Sequence, residues 1–150
     1  MRPIDLAALF GDLVRLETEL WDRVDRRLRE DHGVPLSWFE PMQVMDRAAG
    51  CRVADIAEAL SITVGGVSKL VDRIEQAGWC VRAPNPDDAR SSIVRLTRAG
   101  RRVLGAAEVS RDDELAVRIG AAVPAGRLES FAATVHDLRR HLALEGGGAR

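Results

Sequence analysis

The run Ala83-Pro84-Asn85-Pro86-Asp87-Asp88-Ala89-Arg90-Ser91-Ser92-Ile93-Val94-Arg95-Leu96-Thr97 decides the reading of this chain. Two short β-prone stretches, Cys80 to Ala83 and Ile93 to Leu96, flank a tip of Pro, Asn, Asp and Ser. That pattern predicts a β-hairpin with a long turn. The tip carries one cation, Arg90, two residues after Asp88.

Immediately upstream, Val53 to Leu60 forms a two-turn amphipathic pattern with Val53, Ile56, Ala57 and Leu60 on one face. Ser61-Ile62-Thr63 reads as a turn. A second helical pattern follows, with Val64, Val67, Leu70, Val71 and Ile74 expected inward and Ser68, Lys69, Asp72, Arg73 and Gln76 outward, and Gly78 ends it. Helix, turn, helix and charged hairpin together read as a winged helix, an arrangement that binds DNA. The second helix would enter the major groove with its N-terminal residues against base edges. Its candidates are Thr63, Gly65, Gly66, Ser68 and Lys69. The hydroxyls can bond bases or phosphates, and Lys69 can reach guanine or the backbone. Arg73, one turn on, is placed for phosphate. Gly65 and Gly66 each cost about 1 kcal/mol in a helix relative to Ala; they either let the backbone approach DNA or merely loosen the turn. Arg90 on a narrow hairpin suits the minor groove, where potential is most negative over A·T-rich segments. Asp88 is positioned in sequence to orient that guanidinium by an ion pair. Alone, such a pair reads as a solvated hairpin; after a helix-turn-helix it reads as a DNA contact.

Charge mapping supports this division. The net charge is −1, yet Ser61 to Arg102 holds eight Lys or Arg against four Asp or Glu, and the remainder holds fourteen against nineteen. A positive head on an acidic body supplies phosphate affinity without general stickiness. Arg outnumbers Lys twenty-one to one, an excess that GC-rich coding produces by itself and that carries no argument here. The chain has no apolar run of membrane-spanning length and no signal-peptide pattern at its start, which predicts a cytoplasmic protein with Cys51 and Cys80 reduced.

The rest of the sequence predicts a mainly α fold of six helices with a small β-hairpin wing. A first helix spans roughly Ile4 to Asp31 and stops at Gly33 and Pro35. Its apolar stripe is longer than a small domain needs, so part of it is expected to face a partner chain. Ser37 and Glu40 make a capping box for a second helix running to about Ala49, distorted early by Pro41. Gly50-Cys51-Arg52 is a break or a short strand. Thr97 caps a fifth helix over Arg98 to Gly120, and Pro124 opens a sixth. Leu128, Phe131, Val135, Leu138 and Leu142 form a heptad seam on that last helix. Gly146 to Arg150 is expected to be a disordered tail.

The chain resembles the MarR family of bacterial transcriptional regulators. The resemblance rests on Asp55-Ile56-Ala57, on Leu70-Val71-Asp72-Arg73-Ile74-Glu75-Gln76-Ala77-Gly78, on Asp88-Ala89-Arg90 and on Leu96-Thr97-Arg98-Ala99-Gly100, and it extends over nearly the whole chain. The double glycine in the recognition helix departs from the family pattern. The resemblance implies one domain over residues 1–150, with dimerisation helices at about 1–35 and 121–145 and a DNA-binding lobe at about 51–100. It further implies a homodimer on a near-palindromic double-stranded operator, with Asp88 and Arg90 as the paired wing residues. Many relatives bind a small aromatic or phenolic effector where the dimerisation helices meet the DNA-binding lobe; here Trp21, Trp38, Phe39, Met42 and Met45 are the apolar candidates, for which ordinary core packing is the competing reading. Some relatives sense oxidants through cysteine, and for Cys51 and Cys80 a structural thiol is the competing reading.

Other classes find little footing. His136 and His141 diverge on a helix and make a poor metal pair, His32 lies in a loop-like stretch without an obvious nucleophile, and Asp112-Asp113-Glu114 reads as a solvated face. No cofactor or metal motif is present, and an enzyme is not expected. The remaining rival is a winged-helix module that binds protein instead of DNA.

Overall fold

The computed structural model describes residues 4–48 and 50–146. It comprises six α-helices and a three-stranded antiparallel sheet, arranged as two compact units, one running through Asp112 and the other starting at Asp113.

Helix α1 (Leu6–His32) begins at Asp5, whose carboxylate accepts the N–H groups of Ala7 and Ala8, each at 3.1 Å. It ends at Gly33, where φ is +69°, a left-handed position that glycine takes without Cβ strain. Near its C-terminal end α1 buries Val24 and Leu28, whereas Leu6, Leu9, Phe10, Val14 and Leu16 toward its start are exposed.

Helix α2 (Leu36–Arg47) departs from expectation at its start. The Ser37–Glu40 capping box does not form, because the helix begins two residues earlier, with Pro35 rather than Ser37 at the cap and no side-chain cap bond. Asp25 of α1 substitutes for it, its Oδ1 accepting the Leu36 N–H at 2.7 Å. Burial works against the charge on Asp25, but hydrogen bonds from Arg29 and Leu36 and the Arg29 charge outweigh it and hold the carboxyl below its ordinary pKa. The helix closes at Arg47; Ala49, its expected end, lies outside the described residues.

The stretch after Gly50 resolves as a strand, β1 (Cys51–Arg52), which pairs with the hairpin strands β2 (Cys80–Pro84) and β3 (Ser92–Leu96) in the order β1-β3-β2. Helices α3 (Val53–Leu60) and α4 (Val64–Gln76) fall where the periodicity places them. Val67, Val71 and Ile74 are fully buried beside Ile56, Phe39, Met42 and Met45, and these form the core of the first unit with Val94, Leu96 and Leu104. Val64 is a correction: as the first helical residue it stands ahead of the packed turns and is 55% exposed.

Helix α5 (Arg98–Leu115) gives way to a π-helical turn over Ala116–Gly120, so the expected continuous helix to Gly120 is interrupted. Glu114 is not part of a solvated face; it is buried and pairs with Arg118 at 2.7 Å. Helix α6 (Ala125–Gly146) starts after Pro124, whose carbonyl accepts the N–H groups of Arg127 and Leu128. Phe131, Leu138 and Leu142 of its seam are exposed, and Leu128 and Val135 are half-buried. Gly146 is the last helical residue; the remainder of the expected tail, residues 147–150, lies outside the described residues.

Candidate nucleic-acid interface

The recognition helix is set by its cap. Thr63 is the N-cap of α4, and its Oγ1 accepts the Gly66 N–H at 3.2 Å. The two glycines then separate. A Cβ on Gly66 would stand 3.1 Å from that capping oxygen, tighter than ordinary contact, so Gly66 has a local reason to lack a side chain. A Cβ on Gly65 would meet nothing within 4 Å. Packing inside the chain therefore does not ask for glycine there, and the helix bears its cost. Lys69 and Arg73 are exposed on the outer face, and Ser68 is half-buried. Among the described residues, neither cation enters a salt bridge.

The third charge on this face is an acid, Asp72, and it is neutralised from the wing. Arg82 of β2 reaches back to α4, donating to Asp72 Oδ1 and Glu75 Oε2, each at 2.7 Å, and to the Ser68 carbonyl at 3.3 Å. Its backbone N–H also donates to Glu75 Oε1 at 2.9 Å. Burial disfavours the charged guanidinium, but hydrogen bonds from it to Asp72 and Glu75 and their charges prevail, so its pKa is raised. The bond set ties the recognition helix to the wing. Sequence reasoning passed over Arg82; the signal was an acidic pair at i, i+3 on an otherwise basic helix, followed by a cation on the returning strand.

The motif Leu96-Thr97-Arg98-Ala99-Gly100 closes the root of the wing. Thr97 Oγ1 donates to the Gly78 carbonyl at 2.8 Å and accepts the Gly100 N–H at 2.9 Å, so it caps α5 as predicted. The Thr97 N–H donates to the Trp79 carbonyl at 2.9 Å. A Cβ on Gly100 would lie 1.9 Å from that same oxygen, which leaves glycine as the residue that fits. Gly78, at φ +77°, turns the chain from α4 into this contact.

At the wing tip, Asn85 Oδ1 accepts the Asp87 N–H and Asn85 Nδ2 donates to Ser91 Oγ. Asp88 acts differently from expectation. Its Oδ1 accepts the backbone N–H of Arg90 at 3.0 Å, and among the described residues no ion pair joins the two side chains. A two-residue separation favours this local turn, and it leaves the Arg90 guanidinium exposed and, among the described residues, without a salt bridge.

The other candidates scatter. Met42 and Met45 are buried in the core, and Trp38 packs edge-on against Trp79 with centroids 5.8 Å apart. Met45 borders a cleft of about 430 Å³ with Asp46, Gly50, Arg95 and Arg101, whereas Trp21 lines a shallow depression on α1 with Glu17 and Thr18. The five apolar candidates, Phe39 among them, are not gathered around either. Cys51 and Cys80 lie on opposite sides of β3, opposite Val94 and Leu96. Two strand spacings, about 10 Å, exceed the reach of a disulfide. Burial, with the Asp55 charge at Cys51 and the Glu75 charge at Cys80, pushes both thiols up to about 11, far from the low values a redox sensor needs. His32 is the last residue of α1 rather than a loop residue, and it does face a hydroxyl: Ser110 Oγ lies 2.8 Å from its Nε2 and donates to Asp31 Oδ2 at 3.3 Å. Serine, not histidine, is the middle member, so this joint between α1 and α5 lacks the order of a nucleophile relay.

A helix-turn-helix followed by an antiparallel hairpin and closed by a third sheet strand defines a winged helix protein. Residues 32–91 match the MarR family. The multiple antibiotic resistance protein MarR of Escherichia coli (strain K12) is 27% identical over 90 residues, covering 60% of this chain and 62% of that protein; the match thus spans about three fifths of the relative's length. The structure of Sco3205, a MarR family transcriptional regulator from Streptomyces coelicolor in complex with DNA, is similar at TM-score 0.81 and 22% identity, covering 95% of this chain and 91% of that one. A mutant MarR from E. coli complexed with operator DNA is similar at TM-score 0.73 and 22% identity, covering 90% and 99%. The chain is thus similar to MarR family proteins over residues 32–91 and shares the fold of the solved structures.

Proposed function

We propose that the protein is a sequence-specific transcriptional regulator, a repressor, that binds a near-palindromic double-stranded operator as a homodimer. One observation carries the reading: Arg82 locks the recognition helix to the wing, while Lys69, Arg73 and Arg90 stay exposed and free of salt bridges among the described residues. Helix α4 enters the major groove with Thr63, Gly65, Gly66, Ser68 and Lys69 toward base edges. Arg73 meets phosphate, and Arg90, on the turn that Asp88 shapes, enters the minor groove. The exposed Phe10 and Val14 of α1, and Leu138 and Leu142 of α6, are the surfaces that a second copy covers. A dimer sets two recognition helices about 34 Å apart, one duplex turn. Among the described residues no helix is long and apolar enough to cross a membrane, and the reading places the protein in the cytoplasm. The family resemblance adds release by a small aromatic or phenolic effector, for which Met45 and the cleft beside it are the starting point.

The test is a titration against random duplexes at two salt concentrations, with sequencing of the bound fraction. Enrichment of an inverted repeat, and affinity that falls steeply with salt, is the expected result. Absence of binding at both salts overturns the reading in favour of a protein-interaction module.

A further inference from the structure

Val64 is apolar, β-branched and expected inward by its spacing, yet it is 55% exposed at the leading end of the recognition helix. Ile62, two residues before it, is 45% exposed. Single exposed apolar residues are ordinary, but the surroundings of this pair are not. Thr63 between them has already committed its oxygen to the Gly66 N–H. Gly65 beyond them presents open space where a side chain would stand. The leading surface of α4 is therefore methyl groups and bare backbone, with its first charge at Lys69, one turn further on.

We infer that Val64, supported by Ile62, reads the C5-methyl group of thymine in the major groove, and so sets part of the sequence preference. The inference rests on the DNA-binding reading above. Among the groups that base pairs expose in that groove, the thymine methyl is the apolar one; the others are hydrogen-bond donors and acceptors. A valine set against the amino group of cytosine would strip its water and return no bond, which is unfavourable. Set against a thymine methyl, it removes two apolar surfaces from water together. The missing Cβ of Gly65 lets the helix backbone come near enough for so short a side chain to make contact.

Deoxyuridine tests this directly, since it differs from thymidine by that methyl alone. In the selected operator each thymine is replaced in turn, and the dissociation constant is measured for the wild-type protein, Val64→Ala and Ile62→Ala. Val64→Thr serves as a second variant that keeps the branched shape. Wild type is expected to lose about fourfold at one position in each half-site, the effect of one buried methyl group. Val64→Ala is expected to bind the unmodified operator more weakly and to be indifferent to the substitution at that position. Because Val64 is exposed, the thermal midpoint should not move. Unchanged wild-type affinity at every position, or undiminished methyl dependence in both alanine variants, overturns the inference while leaving DNA binding intact. Failure of the wild type to bind any duplex overturns the DNA-binding reading and the inference with it.

Discussion

At the root of the wing, the backbone and side chains are held by other elements, whereas at its tip the bonds are local. Thr97 joins β3 and α5 to Gly78 and Trp79, Gly100 presses on the Trp79 carbonyl, and Arg82 spans from β2 to α4. Between Asn85 and Ser91, the turn bonds run within the tip itself. The root spends its hydrogen bonds on fixing direction. The tip spends its own on shaping a turn and leaves the Arg90 guanidinium without a salt bridge among the described residues. A cation that must settle into a groove gains from a rigid base and an unpaired head, because neither ordering the base nor breaking an ion pair is then charged to binding.

Three substitutions break or sharpen this contrast. Gly100→Ala strikes the root hardest. A methyl 1.9 Å from the Trp79 oxygen forces the start of α5 away from the wing, and a loss of more than about 3 kcal/mol in urea unfolding is expected; an unshifted midpoint would show that the root tolerates movement. Arg82→Met keeps the stem but removes the fork. After screening at partly exposed partners, about 1 kcal/mol of stability is expected to go, while operator affinity falls more, since Asp72 is left as a bare anion on the recognition helix. Full affinity in this variant would show that the helix and wing need no tie. Gly65→Ala has the smallest effect and the most distinctive sign. Relieving a helical glycine is expected to raise stability by about 0.5 kcal/mol and to weaken DNA binding at once. A variant that gains stability and keeps its affinity would show that close backbone approach is not used.

Much of this was legible in the sequence because it is written in local chemistry. The hairpin follows from Pro, Asn and Asp between β-prone runs, and the end of α1 follows from Gly33. The helix-turn-helix follows from spacing that buries Val67, Val71 and Ile74. What escaped depends on neighbours distant in sequence. Asp25, eleven residues upstream, supplies the amide partner at the start of α2, so the Ser37–Glu40 signal lies two residues past the observed cap. Val64 fits the apolar period, but a helix end has no layer above it to pack against. The reach of Arg82 to Asp72 and Glu75 depends on how sharply Gly78 folds the strand back. Asp88 was assigned a charge partner on proximity, whereas a two-residue offset favours the backbone amide.

We propose that Arg90, free of salt bridges among the described residues and carried on a rigid root, makes a DNA contact without supporting the fold. The most direct measurement is the operator dissociation constant of Arg90→Ala beside wild type at one salt concentration, with thermal unfolding of the same samples. The account predicts affinity weakened by about 1–3 kcal/mol and an unmoved thermal midpoint. Equal affinities, or a loss of binding that simply tracks a loss of stability, would contradict it.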